Sequence, residues 1–205
     1  MITMKKTKIS LEWQEWNKEP DTSALAHAAS ILSFSEAEAA YRLLIDQGSI
    51  LSMVNLGSRY EYRSDSDGGP DFAQAEFWYH KAIEAGSAVA TLPVGYFYLR
   101  RKNYEEAREV FSIGRDRDYA PSILRLGDLY AKGLGVERNY DIAQDFFKQA
   151  ACRGNLWAKR TAAVLAFRRS RDIVTRFGWW MLVATSYLEF RYQKWREPRS
   201  ERLKK

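Results

Sequence analysis

Apolar and small residues recur along the chain in a fixed frame, and each copy of the frame contains two stretches with helical spacing. Each copy can be aligned on a marker at the end of its second stretch, and the markers are Gly48, Gly86, Asp118 and Gly154. A small residue stands eleven positions before each marker, and a pair of apolar residues stands at eight and seven positions before it. The markers lie 38, 32 and 36 residues apart, which predicts a repeated helix pair with a loop of variable length.

The frame continues into the next stretch with residues that allow close helix packing. Small side chains stand four positions after the markers, at Ser52, Ala90, Ser122 and Ala158. Glycines follow at nine positions in three copies, and tyrosines at twelve, whereas Ala166 breaks the tyrosine pattern. A glycine within a helix costs about 0.5–1 kcal/mol, so its recurrence indicates a tight helix crossing. The frame predicts an all-α fold, an α-solenoid of stacked antiparallel helix pairs.

The segment Ala120–Asn155 resembles the Sel1-like repeat family, which is related to the tetratricopeptide repeat. It carries the family's Leu-Gly pair, its tyrosine and its G-x-G-V turn with Gly133 and Gly135, while Phe146-Phe147 replaces the usual Trp-Tyr. Ser52–Ser87 resembles a second copy with a reshaped loop. The resemblance implies a non-enzymatic scaffold or adaptor, with assembly factors and neutralising partners of secreted toxins among the known roles.

The repeats divide the chain into three parts. Residues 1–22 form an N-terminal segment whose Trp13 and Trp16 could dock or cap, residues 23–167 carry the repeats, and residues 168–205 form an apolar capping helix with a basic tail. In the first hairpin, Ser35-x-x-Glu38 predicts a capping box at the start of the second helix.

The net charge of +6 is concentrated in the tail, where residues 168–205 carry 11 Lys and Arg against 4 Asp and Glu. The single cysteine, Cys152, cannot form an internal disulfide, and the N-terminus lacks the apolar core of a secretory signal. We therefore expect a cytoplasmic protein, with the tail able to reach the inner face of a membrane. A basic tail alone is weak support for nucleic-acid binding, so we do not expect a nucleic-acid partner.

The tail contains an apolar, aromatic segment that three hypotheses explain. It could cap the last repeat, contact a partner or a second copy of the chain, or lie in a membrane interface beside flanking arginines and lysines. The residues that would make the partner or membrane contact are Trp179, Trp180, Leu182 and Val183.

Catalytic and metal-binding patterns are weak in this sequence. His27 and His80 are isolated from other metal-binding residues, and the Asp-rich loop from Asp65 to Asp71 has proline where a calcium loop needs glycine. Cys152 is interpreted as a small core residue rather than a nucleophile. The sequence predicts no enzyme activity, no cofactor and no metal site.

The first helices of the pairs should line the concave inner wall of the solenoid, where a protein partner would bind. Frame residues fill the core, so the positions between them should face the partner. Aromatic and cationic side chains among them favour a partner with apolar anchors and carboxylates. The predicted contact residues are Tyr62, Leu92, Tyr96, Arg100, Asp128, Lys132, Arg160, Phe167 and Arg168.

Overall fold

The computed structural model describes residues 11–16 and 18–169, together with residues 178, 180, 181, 184, 185, 187 and 188 of the tail. All regular structure within residues 11–16 and 18–169 is helical. The α-helices are α1 (Leu11–Trp16), α2 (Thr22–Ser30), α3 (Phe34–Asp46), α4 (Ile50–Glu61), α5 (Phe72–Glu84), α6 (Thr91–Arg100), α7 (Tyr104–Asp116), α8 (Ala120–Lys132), α9 (Tyr140–Cys152) and α10 (Leu156–Arg169). A short 3-10 turn, Asp65–Asp67, lies between α4 and α5.

The chain divides into two compact units, one that ends at Tyr119 and one that begins at Ala120. In the first unit, α2 packs on α3, α3 on α4, α4 on α5, and α6 on α7. In the second unit, α9 packs on both α8 and α10. These successive helix pairs have the all-α solenoid fold that the repeat frame predicts.

In three helix pairs, the two helices approach each other closely at a frame glycine of the first helix. A Cβ atom on Gly57 would lie 2.7 Å from the Tyr79 ring, and one on Gly95 would lie 2.1 Å from the ring of Phe111. In the second unit, a Cβ atom on Gly127 would lie 2.4 Å from the Phe147 ring. Each ring is the second member of an apolar pair in the frame and is fully buried. The predicted tight crossing is confirmed, because the aromatic ring occupies the space of the missing side chain.

The marker positions are turns in the left-handed region of backbone space. Gly48, Gly86 and Gly154 have φ values of 92°, 94° and 88°, which glycine adopts without steric cost. Asp118 is the exception in residue type but not in conformation, since its φ is 61°. The predicted phase of the repeats therefore matches the structure at all four markers.

The frame tyrosines of the first unit fasten each first helix to the helix before it. The Tyr60 hydroxyl donates to Glu38 on α3 at 2.6 Å, and the Tyr98 hydroxyl donates to Glu76 on α5 at the same distance. In the second unit, where Ala166 replaces the tyrosine, Gln144 stands at the glutamate position. Its amide nitrogen donates to Ala162, while its buried oxygen has no hydrogen-bond donor among the described residues. In the last helix pair, the tyrosine and the glutamate of this contact are thus both replaced, by Ala166 and Gln144.

Two local predictions are wrong. Helix α3 begins at Phe34 with Ser33 as its N-cap, so Ser35 is inside the helix, and Glu38 bonds Tyr60 and Arg42 instead of closing a capping box. Cys152 is exposed at the end of α9 rather than buried in the core. Both predictions used local sequence alone and could not include the tertiary neighbours of these residues.

None of the helices that the structure describes has both the length and the apolar character needed to cross a bilayer.

Candidate partner-binding groove

A groove of about 300 Å³ lies in the first unit, between α2, α3 and α4. Its walls combine apolar, amide, hydroxyl and guanidinium groups. The lining residues are Ala29, Tyr41, Asn55, Ser58, Arg59 and Tyr62. A groove with few charges and several hydrogen-bonding groups can hold one apolar side chain and the adjoining backbone of a bound segment.

Arg59 and Tyr41 line the groove and are held in place by contacts with α2 and with each other. The Arg59 guanidinium donates to the carbonyl oxygens of Ala29 at 3.0 Å and Ile31 at 2.6 Å, where α2 ends. Burial raises the pKa of the Tyr41 phenol, although the nearby charge of Arg59 opposes that rise. Arg59 thus satisfies carbonyl groups that the end of α2 leaves without helical partners.

Tyr62 forms the open edge of the groove, just after the end of α4. Its side chain is 63% exposed, which is high for an aromatic residue next to a concave surface. The Arg100 guanidinium lies over its ring, with Cζ 5.4 Å from the ring centroid. Burial, followed by the charge of Glu61, raises the pKa of the Tyr62 phenol above its ordinary value. The edge therefore presents an exposed, uncharged aromatic ring beside a cation.

Glu61 is a buried carboxylate that neutralises Arg100. It is 6% exposed, accepts from the Tyr79 hydroxyl at 2.8 Å and from Arg100 Nε at 2.8 Å, and also contacts Arg100 Nη2. Burial, and then the hydrogen bond with Glu61, raises the pKa of Tyr79. The positive charge assigned by sequence to a partner's carboxylate is therefore already paired within the protein.

The structure brings together only some of the predicted contact residues. Tyr62 and Arg100 are in contact in the first unit, where Leu92 and Tyr96 are half-buried on α6. The Tyr96 ring also packs edge-on against Phe111, with the ring centroids 6.4 Å apart.

In the second unit, the predicted contact residues have mixed surroundings. Asp128 accepts from Arg125 at 2.6 Å, whereas Lys132 is exposed at the end of α8. Arg160 is exposed and lies over the Trp157 ring, and Phe167 is half-buried. The side chain of Arg168 lies outside the described residues. Sequence reasoning missed the lining residues Ala29, Tyr41, Asn55 and Arg59, because they come from three different helices, and only Asn55 and Arg59 share a helical spacing, on α4.

The described part of the tail is helical and exposes apolar side chains. Trp180, Met181, Tyr187 and Leu188 are between 46% and 64% exposed. Their spacing of one, seven and eight residues is the spacing of neighbours on one helical face. The other predicted tail contacts, Trp179, Leu182 and Val183, lie outside the described residues.

Among the residues that the structure describes, no group of three or more His, Cys, Asp or Glu could hold a metal ion. His80 Nε2 lies 2.7 Å from the Tyr98 hydroxyl, and His27 is exposed on α2.

The Sel1 repeat family model matches residues 50–87 and 120–155. A similar curated protein is the ERAD-associated E3 ubiquitin-protein ligase component HRD3 of Candida glabrata, which is 29% identical over 72 residues. That match covers 35% of this chain and 9% of HRD3, so the chain spans less than a tenth of that relative's length.

Two solved structures resemble this fold with a TM-score of 0.59. One is a protective antigen with an SLR fold, present in uropathogenic Escherichia coli strains, at 23% identity over 75% of this chain and 34% of that chain. The other is a Sel1 repeat protein from Oxalobacter formigenes, at 21% identity over 75% of this chain and 64% of that chain. The chain thus spans about a third and about two thirds of these proteins. Two helix pairs of this chain thus match the Sel1 repeat family model, and the chain shares the fold of these two neighbours.

Proposed function

We propose that this protein is a non-catalytic scaffold that binds a segment of a protein partner in the groove edged by Tyr62. Sel1-repeat proteins are generally scaffolds for protein–protein interaction, and this chain shares their fold. An assembly factor and a toxin-neutralising partner both act by such contact, and the identity of the captured protein distinguishes the two roles.

The exposure of Tyr62 is the observation that carries this proposal. Tyr62 is 63% exposed at the edge of the groove, so covering its ring with a partner removes apolar surface from water and favours binding. Asn55 and Ser58 lie in the same groove and can bond the backbone of the bound segment. Because Glu61 already pairs with Arg100, the groove favours an apolar anchor over an acidic one.

Replacement of Tyr62 by serine tests the groove directly. We expect Tyr62→Ser to weaken partner binding at least about tenfold, as loss of an aromatic anchor does in other interfaces. Tyr140→Ser is the matched control, because Tyr140 is also an exposed tyrosine but lies on α9. Co-purification of the partner with each variant gives the measurement. Equal capture by wild type and Tyr62→Ser, or equal loss in both variants, contradicts the proposal.

A second proposed function is attachment of the scaffold to the cytoplasmic face of an anionic membrane. It is favoured by the exposed apolar face of Trp180, Met181, Tyr187 and Leu188 and by the excess of basic residues in the tail. Such a face can enter the lipid interface while the basic residues contact anionic headgroups.

Flotation with vesicles tests this second function. We expect the wild-type chain to float with anionic vesicles and Trp180→Ser/Leu188→Ser to remain below. Leu32→Ser/Leu43→Ser is the control, since both leucines are exposed but lie outside the tail. If the wild type fails to float, or if the tail variant floats equally well, membrane attachment by this face is wrong.

A further inference from the structure

The N-terminal segment crosses the starts of successive first helices of the repeats. Glu19 accepts from the backbone amide of Leu51 at 2.8 Å and also contacts the Ser49 hydroxyl, at the start of α4. Glu15 makes the corresponding contacts one repeat later. It accepts from the amides of Ala88 at 2.7 Å and Val89 at 3.1 Å, and it contacts the Ser87 hydroxyl.

The two serines are buried hydrogen-bonding groups that require an acceptor. Ser49 is 1% exposed and Ser87 is 2% exposed. Each hydroxyl oxygen accepts from its own helix start, from the Ser52 amide at 3.1 Å and the Ala90 amide at 2.9 Å. The Ser87 hydroxyl donates to Glu15, whereas the Ser49 hydroxyl contacts both Glu19 and, at 2.7 Å, the hydroxyl of Ser52. Buried donors of this kind are costly without a partner, so an acceptor at these positions stabilises the surface.

A third glutamate extends the contact to the next repeat. Tyr119 is buried, and its pKa is raised first by burial and then by the charge of Glu12 and a hydrogen bond with it. Ser49, Ser87 and Tyr119 each directly follow a repeat marker. Three carboxylates of one segment therefore meet the same position in three consecutive repeats of the first unit.

The chemistry of this surface selects carboxylates. Unpaired amide groups at a helix start carry partial positive charge, and the buried hydroxyls add further donors. The Arg117 guanidinium, which donates to the Ser87 carbonyl at 2.9 Å and the Ile83 carbonyl at 3.0 Å, places a full positive charge at the same turn. A neutral acceptor would bond these donors more weakly than a carboxylate, and a basic side chain would offer them no acceptor.

The carboxylates of Glu15 and Glu19 make hydrogen bonds between this segment and the repeats. Helix α1 has six residues, too few to be stable without docking. Glu12 and Gln14 are exposed, and Glu15 and Trp16 are half-buried. A six-residue helix that is bound through charge-assisted hydrogen bonds should detach when those bonds are weakened.

We propose that residues 11–19 are a detachable intramolecular ligand, and that the surface they cover binds an acidic segment of a protein partner with carboxylates at the same spacing. This surface is separate in its residues from the groove edged by Tyr62. The tethered segment competes at a high effective concentration, so a partner gains access when the intramolecular contacts are weakened or when its own segment binds more tightly.

Hydrogen exchange of the full chain, followed by NMR, tests whether the segment is held as described. We expect the amides of Leu51, Ala88 and Val89 to exchange at least about tenfold faster in Glu15→Gln/Glu19→Gln, because charge-assisted hydrogen bonds are replaced by weaker ones. Glu109→Gln/Glu137→Gln changes the net charge equally at exposed positions and should leave these amides unchanged. Unchanged exchange in the first variant overturns the proposal.

A labelled synthetic peptide with the sequence of residues 9–20 tests the surface in trans. We expect it to bind Glu15→Gln/Glu19→Gln at least about tenfold more tightly than the wild type, whose own segment occupies the surface. The peptide with glutamine at both positions should bind at least about tenfold more weakly than the acidic peptide. No binding to any chain, equal binding to variant and wild type, or equal binding of both peptides overturns the proposal.

Two further variants keep the test decisive. If the double variant loses its helical circular dichroism, the single variants carry the test: Glu19→Gln should accelerate exchange at Leu51, and Glu15→Gln at Ala88 and Val89. No acceleration in either single variant overturns the proposal.

In the Glu15→Gln/Glu19→Gln background, Tyr62→Ser should leave peptide binding unchanged, which separates failure of this surface from failure of the groove. A loss of peptide binding there overturns the assignment of the peptide to the N-terminal surface.

Discussion

At the residue scale, the frame glycines have low helix propensity, yet the aromatic ring packed against each one leaves no room for a side chain. Gly95 lies in the middle of α6, where alanine would favour the helix by about 1 kcal/mol. The Phe111 ring, however, occupies the position of an added Cβ atom and is itself fully buried. Packing between the two helices therefore outweighs intrinsic helix propensity at this position.

The first prediction concerns Gly95→Ala. We expect it to lower the free energy of unfolding by about 1–3 kcal/mol, as overpacking of a core does, in spite of its better helix propensity. Urea unfolding gives the measurement. In a Phe111→Leu background the same change should cost less, because the ring that it meets is gone. An equal cost in both backgrounds would show that the ring is not the cause.

The second prediction concerns the pH dependence of Glu38. Burial opposes ionisation of this carboxyl, but hydrogen bonds from Tyr60 and Arg42 lower its pKa below the ordinary value of about 4.3. Its ionised form therefore stabilises the folded state above that value, and the contribution disappears as the pH falls through the folded-state pKa.

Stability at two pH values checks this sign. Glu38→Gln should lower the free energy of unfolding at pH 7 by up to about 1 kcal/mol, since the pair is partly exposed. The difference from the wild type should shrink at pH 3. A difference that grows as the pH falls would contradict the assignment.

At the element scale, a buried polar cluster joins three helices of the first unit. Glu61 from the end of α4 receives hydrogen bonds from Tyr79 of α5 and Arg100 of α6. The carboxylate of Glu61 is buried and the guanidinium of Arg100 is half-exposed. Removal of the arginine therefore destabilises the fold mainly by leaving a buried carboxylate without a cation.

The third prediction follows from this asymmetry. Arg100→Met should destabilise the protein by about 2 kcal/mol, because it leaves a buried carboxylate without its cation. Glu61→Gln/Arg100→Met should recover part of that loss, since the buried group is then neutral. Chemical denaturation of the two variants provides the comparison, and a double variant that is no more stable than Arg100→Met alone would contradict the account.

The helices and their phase could be predicted because the frame repeats four times, and each copy constrains the others. Gly57, Gly95 and Gly127 each have an aromatic partner at a corresponding position of the next helix, so one spacing predicts three contacts. The Ser35–Glu38 capping box has no such repetition, and tertiary bonds from Tyr60 and Arg42 determine the role of Glu38 instead.

The site was less predictable for the same reason. Arg59 matters because it reaches the end of α2, and Arg100 because it meets a buried carboxylate. Both contacts join residues about 30 and 40 positions apart, and no periodic pattern in the sequence indicates them. The docking of Glu19 on Leu51 spans 32 positions and that of Glu15 on Ala88 spans 73, and neither separation repeats along the chain.

At the scale of the whole molecule, the described residues include two exposed surfaces suited to contact with a partner. The first unit has a groove with an exposed aromatic edge, and the tail has an exposed apolar face. A scaffold needs such surfaces to be held in place by a rigid core, which the helix pairs supply. The groove is the surface on which the proposed function depends.

Site-specific photo-cross-linking tests that dependence most directly. A p-benzoylphenylalanine residue replaces Tyr62 or Ser58 in the groove, and Tyr140 on α9 serves as the control position in the full chain. We expect one protein partner to cross-link efficiently from positions 62 and 58 and not from position 140. Equal cross-linking from all three positions, or cross-linking from position 140 alone, would contradict the account.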